Sequence, residues 1–328
     1  MYSLNHELKE KLENINNAIQ KKYGMVLEGD KNKLREFLGT RIGDMHKIDF
    51  LSPKELEDIE KSGGICGVDG SSNRAGGNYP HYIEVYQALA KTTVKREEPL
   101  YLSEIYTPVI INEDEDELSD GGDKREEQKN RKLALLEVEA AIKAIKVHKP
   151  YAILMDGGLI RYNIYAGEKW EELVEMCEDT GTILIGVIKD IKTRVIGEQL
   201  KKEYPELKGN LYDRELLFGL LEYRELLSIN ESVSKKEPMG YSSAFLRSSL
   251  SPMAIGLDII ESQREHLIEM ARLVLSLTPQ NSRGVPLWID IVDKEVKISD
   301  QMMTALLERY LDRGVYERFF VSERDKRS

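Results

Sequence analysis

Residues 151 to 159 read Tyr-Ala-Ile-Leu-Met-Asp-Gly-Gly-Leu, a mostly apolar run without alternation that ends on an acid and two glycines. A short unbroken apolar run bounded by a glycine turn is the pattern of a strand buried on both faces. Open α/β sheets place their chemistry at the C-terminal ends of strands, which makes Asp156 a candidate functional carboxylate. The glycines after it allow a ligand close to the backbone. The same phrase occurs at residues 65 to 71, Ile-Cys-Gly-Val-Asp-Gly-Ser, where Asp69 leaves an apolar strand in the same way. Asp-Gly is also an ordinary turn signal. Two copies on two core strands point beyond a turn.

Charge and composition narrow the classes. Of 328 residues, 41% are hydrophobic and 32% charged, and the longest apolar runs fall well short of the ~20 residues of a membrane span. The N-terminal Met-Tyr-Ser-Leu-Asn-His-Glu has no signal-peptide pattern, so a cytoplasmic protein is expected. Cys66 in a strand and Cys177 in a helix read as small buried residues, not as a disulfide framework or metal cluster. A formal net charge of −11 argues against holding nucleic acid by the overall field, but leaves local binding open.

The first residues, to about 24, have Leu4, Leu8, Leu12, Ile15 and Ile19 at helical spacing; this helix either packs on the core or pairs with a second copy. Ser52, Pro53 and Glu55 supply an N-cap, a proline and a capping-box acid. Residues 1–60 therefore read as a helical extension ahead of one domain, 61–328. Period-two patterns then predict strands at 65–69, 81–93 and 100–111, with a turn at Gly76 and Gly77. Glu113 to Glu127 is almost entirely charged and reads as a mobile loop.

A helix follows over Glu126 to His148. Its apolar arc contains Leu133, Ala134, Val138, Ala141, Ile142, Ala144 and Ile145, and Glu137 falls within that arc. A carboxylate on the core face of a helix needs a partner, which makes Glu137 a second kind of candidate. Beyond the Asp156 strand come a helix near 168–179, a strand at 182–187 running into Lys189, and helical stretches from Thr193 to about Ser228. Within these, Asp213 reads as a helix N-terminal acid. Two strand-like segments, 243–249 and 253–259, precede an amphipathic helix from about 262 to 277. The segment from Gly284 to Lys294 reads as strand-like and carries Asp293, and Ser299 caps a last helix.

The order of strand with Asp69, two strands, helix with Glu137, strand with Asp156, helix, strand, helix is that of a ribonuclease-H-like α/β fold, a mixed central sheet flanked by helices. Three carboxylates together hold Mg²⁺ or Mn²⁺, which bind phosphate oxygens and activate water. The chain resembles the NurA nucleases over most of residues 60 to 312. The residues that carry the resemblance are Gly-Val-Asp69-Gly-Ser, Glu137, Leu-Met-Asp156-Gly-Gly-Leu, Ile-Lys189-Asp, Tyr-Asp213-Arg-Glu-Leu-Leu, and Gly-Val-Pro286 leading to Asp293 and a last helix.

The resemblance implies a dimeric, manganese-preferring DNA nuclease, a 5′-to-3′ exonuclease or single-strand endonuclease, that works with a hexameric HerA-type ATPase on DNA ends. The expected metal ligands are Asp69, Glu137, Asp156 and Asp293, with Lys189 on the scissile phosphate. Two departures stand out. Asp-Gly-Gly replaces the family's Asp-Gly-Ser, and Val292-Asp293 stands where the family has Ala-His. The second departure opens an alternative, a catalytically weakened adaptor that regulates its motor. Another enzyme on a related fold, such as an actin-like-fold kinase, would need a second phosphate-binding repeat, which the sequence does not contain.

Overall fold

The computed structural model describes residues 5–27, 29–95, 97–110, 122–207 and 209–321. The chain begins with α1 (His6–Leu27), α2 (Lys31–Phe37), β1 (Gly43–Lys47) and α3 (Pro53–Lys61). It continues with β2 (Ile65–Gly76), β3 (Tyr82–Thr92), β4 (Leu100–Tyr106), α4 (Gly122–His148), β5 (Ala152–Asp156), α5 (Leu159–Ala166), α6 (Glu168–Thr180) and β6 (Ile183–Ile188). Next are α7 (Val195–Glu203), α8 (Asp213–Leu217), β7 (Glu225–Ile229), β8 (Tyr241–Arg247), β9 (Ile255–Ile260) and α9 (Leu267–Ser276). The chain closes with α10 (Leu287–Val296), α11 (Asp300–Tyr310) and α12 (Arg313–Phe319). These nine described strands are mixed in direction and flanked by helices, as the ribonuclease-H-like reading expects.

The elements fall into two compact units, one of Met1–Phe50 with Val187–Val285 and one of Leu51–Gly186 with Pro286–Ser328. In the second unit the strand order is β6-β5-β2-β3-β4, with β6 contributing its residues up to Gly186. β2, β3 and β4 form the antiparallel meander that their alternation predicts. β5 runs parallel to β2, and its first four residues are buried. One face is covered by α4, whose Ala134, Val138, Ala140, Ala141 and Ala144 are fully buried small residues that bring the helix close to the sheet. On the other face Val292 and Val296 of α10 pack with Leu89, and Trp288 leans against them. The capping box predicted at Ser52 and Glu55 forms at the start of α3, and Ser299 caps α11.

In the first unit β1, β7, β8 and β9 pair antiparallel in that order. Its core joins Leu34, Phe37, Leu38 and Ile42 to Ile191, Leu216, Leu221 and Phe245. The first sixty residues are thus not helical throughout. β1 exists because Gly43 to Lys47 pair with Ile229 to Glu225, a partner that no local pattern announces. The helical stretch expected up to Ser228 ends earlier, with Ser228 inside β7, which is held between β1 and β8. α1 leaves Leu8, Leu12, Ile15 and Ile19 50–55% exposed, so this apolar face does not pack on a core. Of the charged loop expected at Glu113 to Glu127, residues 113–121 lie outside the described residues, and the remainder forms the first turns of α4.

Candidate metal centre

Strand register brings the first two carboxylates together. β2 and β5 run parallel with Val68 opposite Met155, so the next residues, Asp69 and Asp156, emerge side by side where β5 ends. Gly67 has the same parity as Asp69 on β2 and marks the face they share. A Cβ on Gly67 would stand 3.0 Å from both Trp288 Cδ1 and Val292 Cγ2, so this is the α10 side of the sheet. The Gly70 N–H donates to Asp69 Oδ1 at 2.8 Å, and the Tyr162 hydroxyl donates to the Asp156 carbonyl at 3.3 Å. Gly157 has φ +138°, a turn that a side chain would strain. A Cβ on Gly186 would lie 2.5 Å from the Gly157 carbonyl, so β6 passes tightly behind the same turn.

Asp293 completes the group, but on a helix instead of the expected strand. Pro286 precedes the first turn, and Ile289, Val292 and Val296 recur at three and four and are buried. The run Pro-Leu-Trp-Ile is too short to separate the two periods by itself. α10 is fixed to β3 by Trp288 Nε1 donating to the Lys91 carbonyl at 2.9 Å and by an ion pair of Lys91 with Glu295. The Gln87 amide also donates to the Val296 carbonyl at 3.3 Å. With α10 held there, Asp69, Asp156 and Asp293 each present one oxygen within 4.8 Å of the others, running from buried Asp69 to exposed Asp293. Three hard oxygen donors at that separation can hold a divalent ion such as Mg²⁺ or Mn²⁺.

Glu137 approaches from the opposite face. It is fully buried on α4 and stands over Gly70, where a Cβ would lie 2.5 Å from its Oε1. The second glycine of the Gly-Val-Asp-Gly phrase therefore makes room for this carboxylate. Arg161 Nη2 donates to Glu137 Oε1 at 2.8 Å, while Oε2 is buried without a hydrogen-bond partner. Burial raises the Glu137 carboxyl, and the Arg161 guanidinium together with the nearby Tyr162 hydroxyl pulls it back only in part. Arg161 itself is held above the usual guanidinium value: its burial would lower it, but the charges of Glu137 and Asp69 and the hydrogen bond to Glu137 outweigh that.

Sequence reading missed Arg161 because it missed α5. That helix follows two glycines, and its N-cap Gly158 makes no side-chain hydrogen bond, so no start signal is written there. Its only signal was an arginine near the Asp-Gly-Gly turn.

Lys189 and Asp213 belong to the first unit. Lys189 follows β6 directly and is half-buried. Asp213 is fully buried and caps α7 instead of the helix it begins. It accepts from Thr193 Oγ1 at 2.6 Å, from the Val195 and Ile196 N–H groups at 2.9 Å and from that of Gly197 at 3.3 Å. Burial raises its carboxyl against these donors, a structural role that accounts for the residue. Cys66 and Cys177 are buried free thiols, both pushed up to about 12 by burial.

No curated protein matches the chain. Among solved structures, the NurA nuclease from Sulfolobus solfataricus is similar in fold. It is 16% identical, with 93% of this chain and 96% of that one covered and a TM-score of 0.56. An Endonuclease V from Bacillus subtilis is 16% identical over 86% of this chain and 94% of its own, with a TM-score of 0.41. The family profile described as the NurA domain matches residues 63–298, a span that takes in β2, α4, β5 and α10 and with them all four acids, and this chain belongs to the NurA domain family.

Proposed function

We propose that this chain is a metal-dependent deoxyribonuclease, a 5′-to-3′ exonuclease or single-strand endonuclease that prefers Mn²⁺ and accepts Mg²⁺. The observation that carries the reading is the convergence of Asp69, Asp156 and Asp293 within a nuclease-family domain. In this reading the three aspartates are the metal ligands, and Glu137 joins them through its buried Oε2. A divalent ion held by these residues would supply Lewis-acid chemistry, drawing in phosphate oxygens, lowering the pKa of a water and offsetting charge on the leaving oxygen. Lys189, at the exit of β6, contacts the scissile phosphate.

Three acids and a net charge of −11 oppose DNA until the site is loaded, so a partner that feeds the strand is expected. We assign that role to a HerA-type hexameric ATPase acting in DNA end processing or defence. The exposed apolar stripe of α1 supports a homodimer. Among the described residues no helix is long and apolar enough to cross a membrane, and we place the protein in the cytoplasm.

The test is incubation with end-labelled DNA in Mn²⁺, in Mg²⁺ and in chelator. Cleavage is expected with metal only, and Asp69→Asn and Asp156→Asn should abolish it while the far-ultraviolet circular dichroism stays unchanged. Either variant cutting at the wild-type rate in Mn²⁺ would sink the assignment.

A further inference from the structure

We propose that Arg161 is a nucleic-acid contact that neutralises Glu137 in the empty site and receives a backbone phosphate of the bound strand when the site is filled. This rests on the nuclease reading above and adds a residue to it. The argument begins with unequal burial in the pair: the Glu137 side chain is 1% exposed and that of Arg161 31%. The acid is enclosed and the cation is partly open to solvent.

Only Nη2 of the guanidinium is bonded to Glu137, at 2.8 Å. The remaining donors of a planar fork suit a phosphate, which presents two oxygens at matching spacing. Gly157 leaves space beside it, since a Cβ there would be 3.6 Å from Nη1 and no closer to any other atom. Arg161 also feels the charge of Asp69, so it belongs electrostatically to the carboxylate group that an incoming phosphate must approach. Glu137 keeps one buried oxygen that no hydrogen bond of good geometry satisfies, with the Tyr162 hydroxyl close to the carboxylate, and ligation there does not require breaking the bond to Arg161.

The experiment separates contact with DNA from simple support of Glu137. Binding of a fluorescein-labelled single-stranded oligonucleotide is measured by anisotropy in Ca²⁺ across a salt series for the wild type, Arg161→Gln and Arg161→Lys. Mn²⁺ affinity of each is measured by calorimetry without DNA. Arg161→Gln should weaken DNA binding by about tenfold and reduce the salt slope by about one phosphate contact. Arg161→Lys, which keeps the charge but not the fork, should fall between. Mn²⁺ affinity should be unchanged or tighter in both.

Wild-type DNA affinity and salt slope in Arg161→Gln, with the wild type still cutting DNA in Mn²⁺, would overturn this inference alone. So would a loss of Mn²⁺ affinity with DNA binding intact, because it would make Arg161 a support for Glu137. A wild type that neither binds nor cuts DNA would overturn the nuclease reading as well. If thermal melting shows Arg161→Gln unfolded, Arg161→Lys decides: wild-type affinity and slope refute the contact, and an intermediate loss supports it.

Discussion

Gly70→Ala is the most discriminating change that needs no assay of activity. The new Cβ would lie 2.5 Å from Glu137 Oε1, 3.0 Å from Glu137 Cγ and 2.9 Å from Leu133 Cδ1. Relaxed contacts are roughly 3.5–4.0 Å, so about 1 Å must be found. Glu137 has little freedom to provide it, being fully buried and tied to Arg161 at 2.8 Å. Overpacking of this kind costs about 1–3 kcal/mol, and a retreat that breaks the buried pair adds to it, so a loss of about 3 kcal/mol is expected. In a Glu137→Ala background two of the three contacts vanish and the third is a terminal methyl, so the same glycine change should cost less than about 1 kcal/mol. The coupling is then about 2 kcal/mol. Both tryptophans, Trp170 and Trp288, lie in the unit that carries the site, so urea unfolding followed by tryptophan fluorescence reports on that unit. Effects of the two substitutions that add to within about 0.5 kcal/mol would refute the idea that Gly70 exists to admit Glu137.

Three further outcomes follow from other parts of the molecule. Asp213→Ala removes the acceptor of one hydroxyl and three N–H groups and should destabilise the protein by roughly 2–4 kcal/mol in thermal or urea unfolding, with Mn²⁺ binding retained. Burial alone would raise the Glu225 carboxyl, but the two-nitrogen fork of Arg35 and the Glu222 N–H outweigh it and hold it below the usual range. A carboxyl lowered in the fold contributes stability above its unfolded pKa of about 4.3 and loses it as pH falls through the folded value. Glu225→Gln should therefore cost about 1–2 kcal/mol at pH 7, discounted because Arg35 is partly exposed, and the difference should shrink below about pH 4. Asp293→Ala should lose most Mn²⁺ affinity and cleavage, and Asp293→His should recover part of both, with activity falling below about pH 6.5 as the imidazole protonates.

What could be read from the sequence followed the presence of local signals. β2 and β5 were legible because an unbroken apolar run ending on Asp-Gly has few alternatives, and Asp69 and Asp156 came with them. α3 and α11 were legible because Ser52 and Ser299 write their caps into the chain. The helices that deliver Arg161 and Asp293 have no side-chain cap at all, Gly158 and Pro286 standing at those positions. One was missed and the other given the wrong period. β1 escaped because it is a strand only by virtue of its distant partner β7, and β7 because its pairing with β1 and β8 overrides a stretch with helical spacing. Glu137 was legible as a misplaced charge in an apolar arc, although its approach from the other face of the sheet depends on Gly70 and could not be seen without coordinates.

The interleaving of the two units has a consequence for how the molecule is made. Each unit is built from two stretches of chain that are separated by part of the other, so neither is complete until its second stretch has been made. Met1–Phe50 must wait for Val187–Val285, and the strands bearing Asp69 and Asp156 must wait for Pro286–Ser328. The third carboxylate therefore arrives on α10, long after β2 and β5 have been made, and joining them closes a long loop of chain. A nascent chain on the ribosome would hold two acids of the group before the third, and the full ligand set would form only once α10 has emerged.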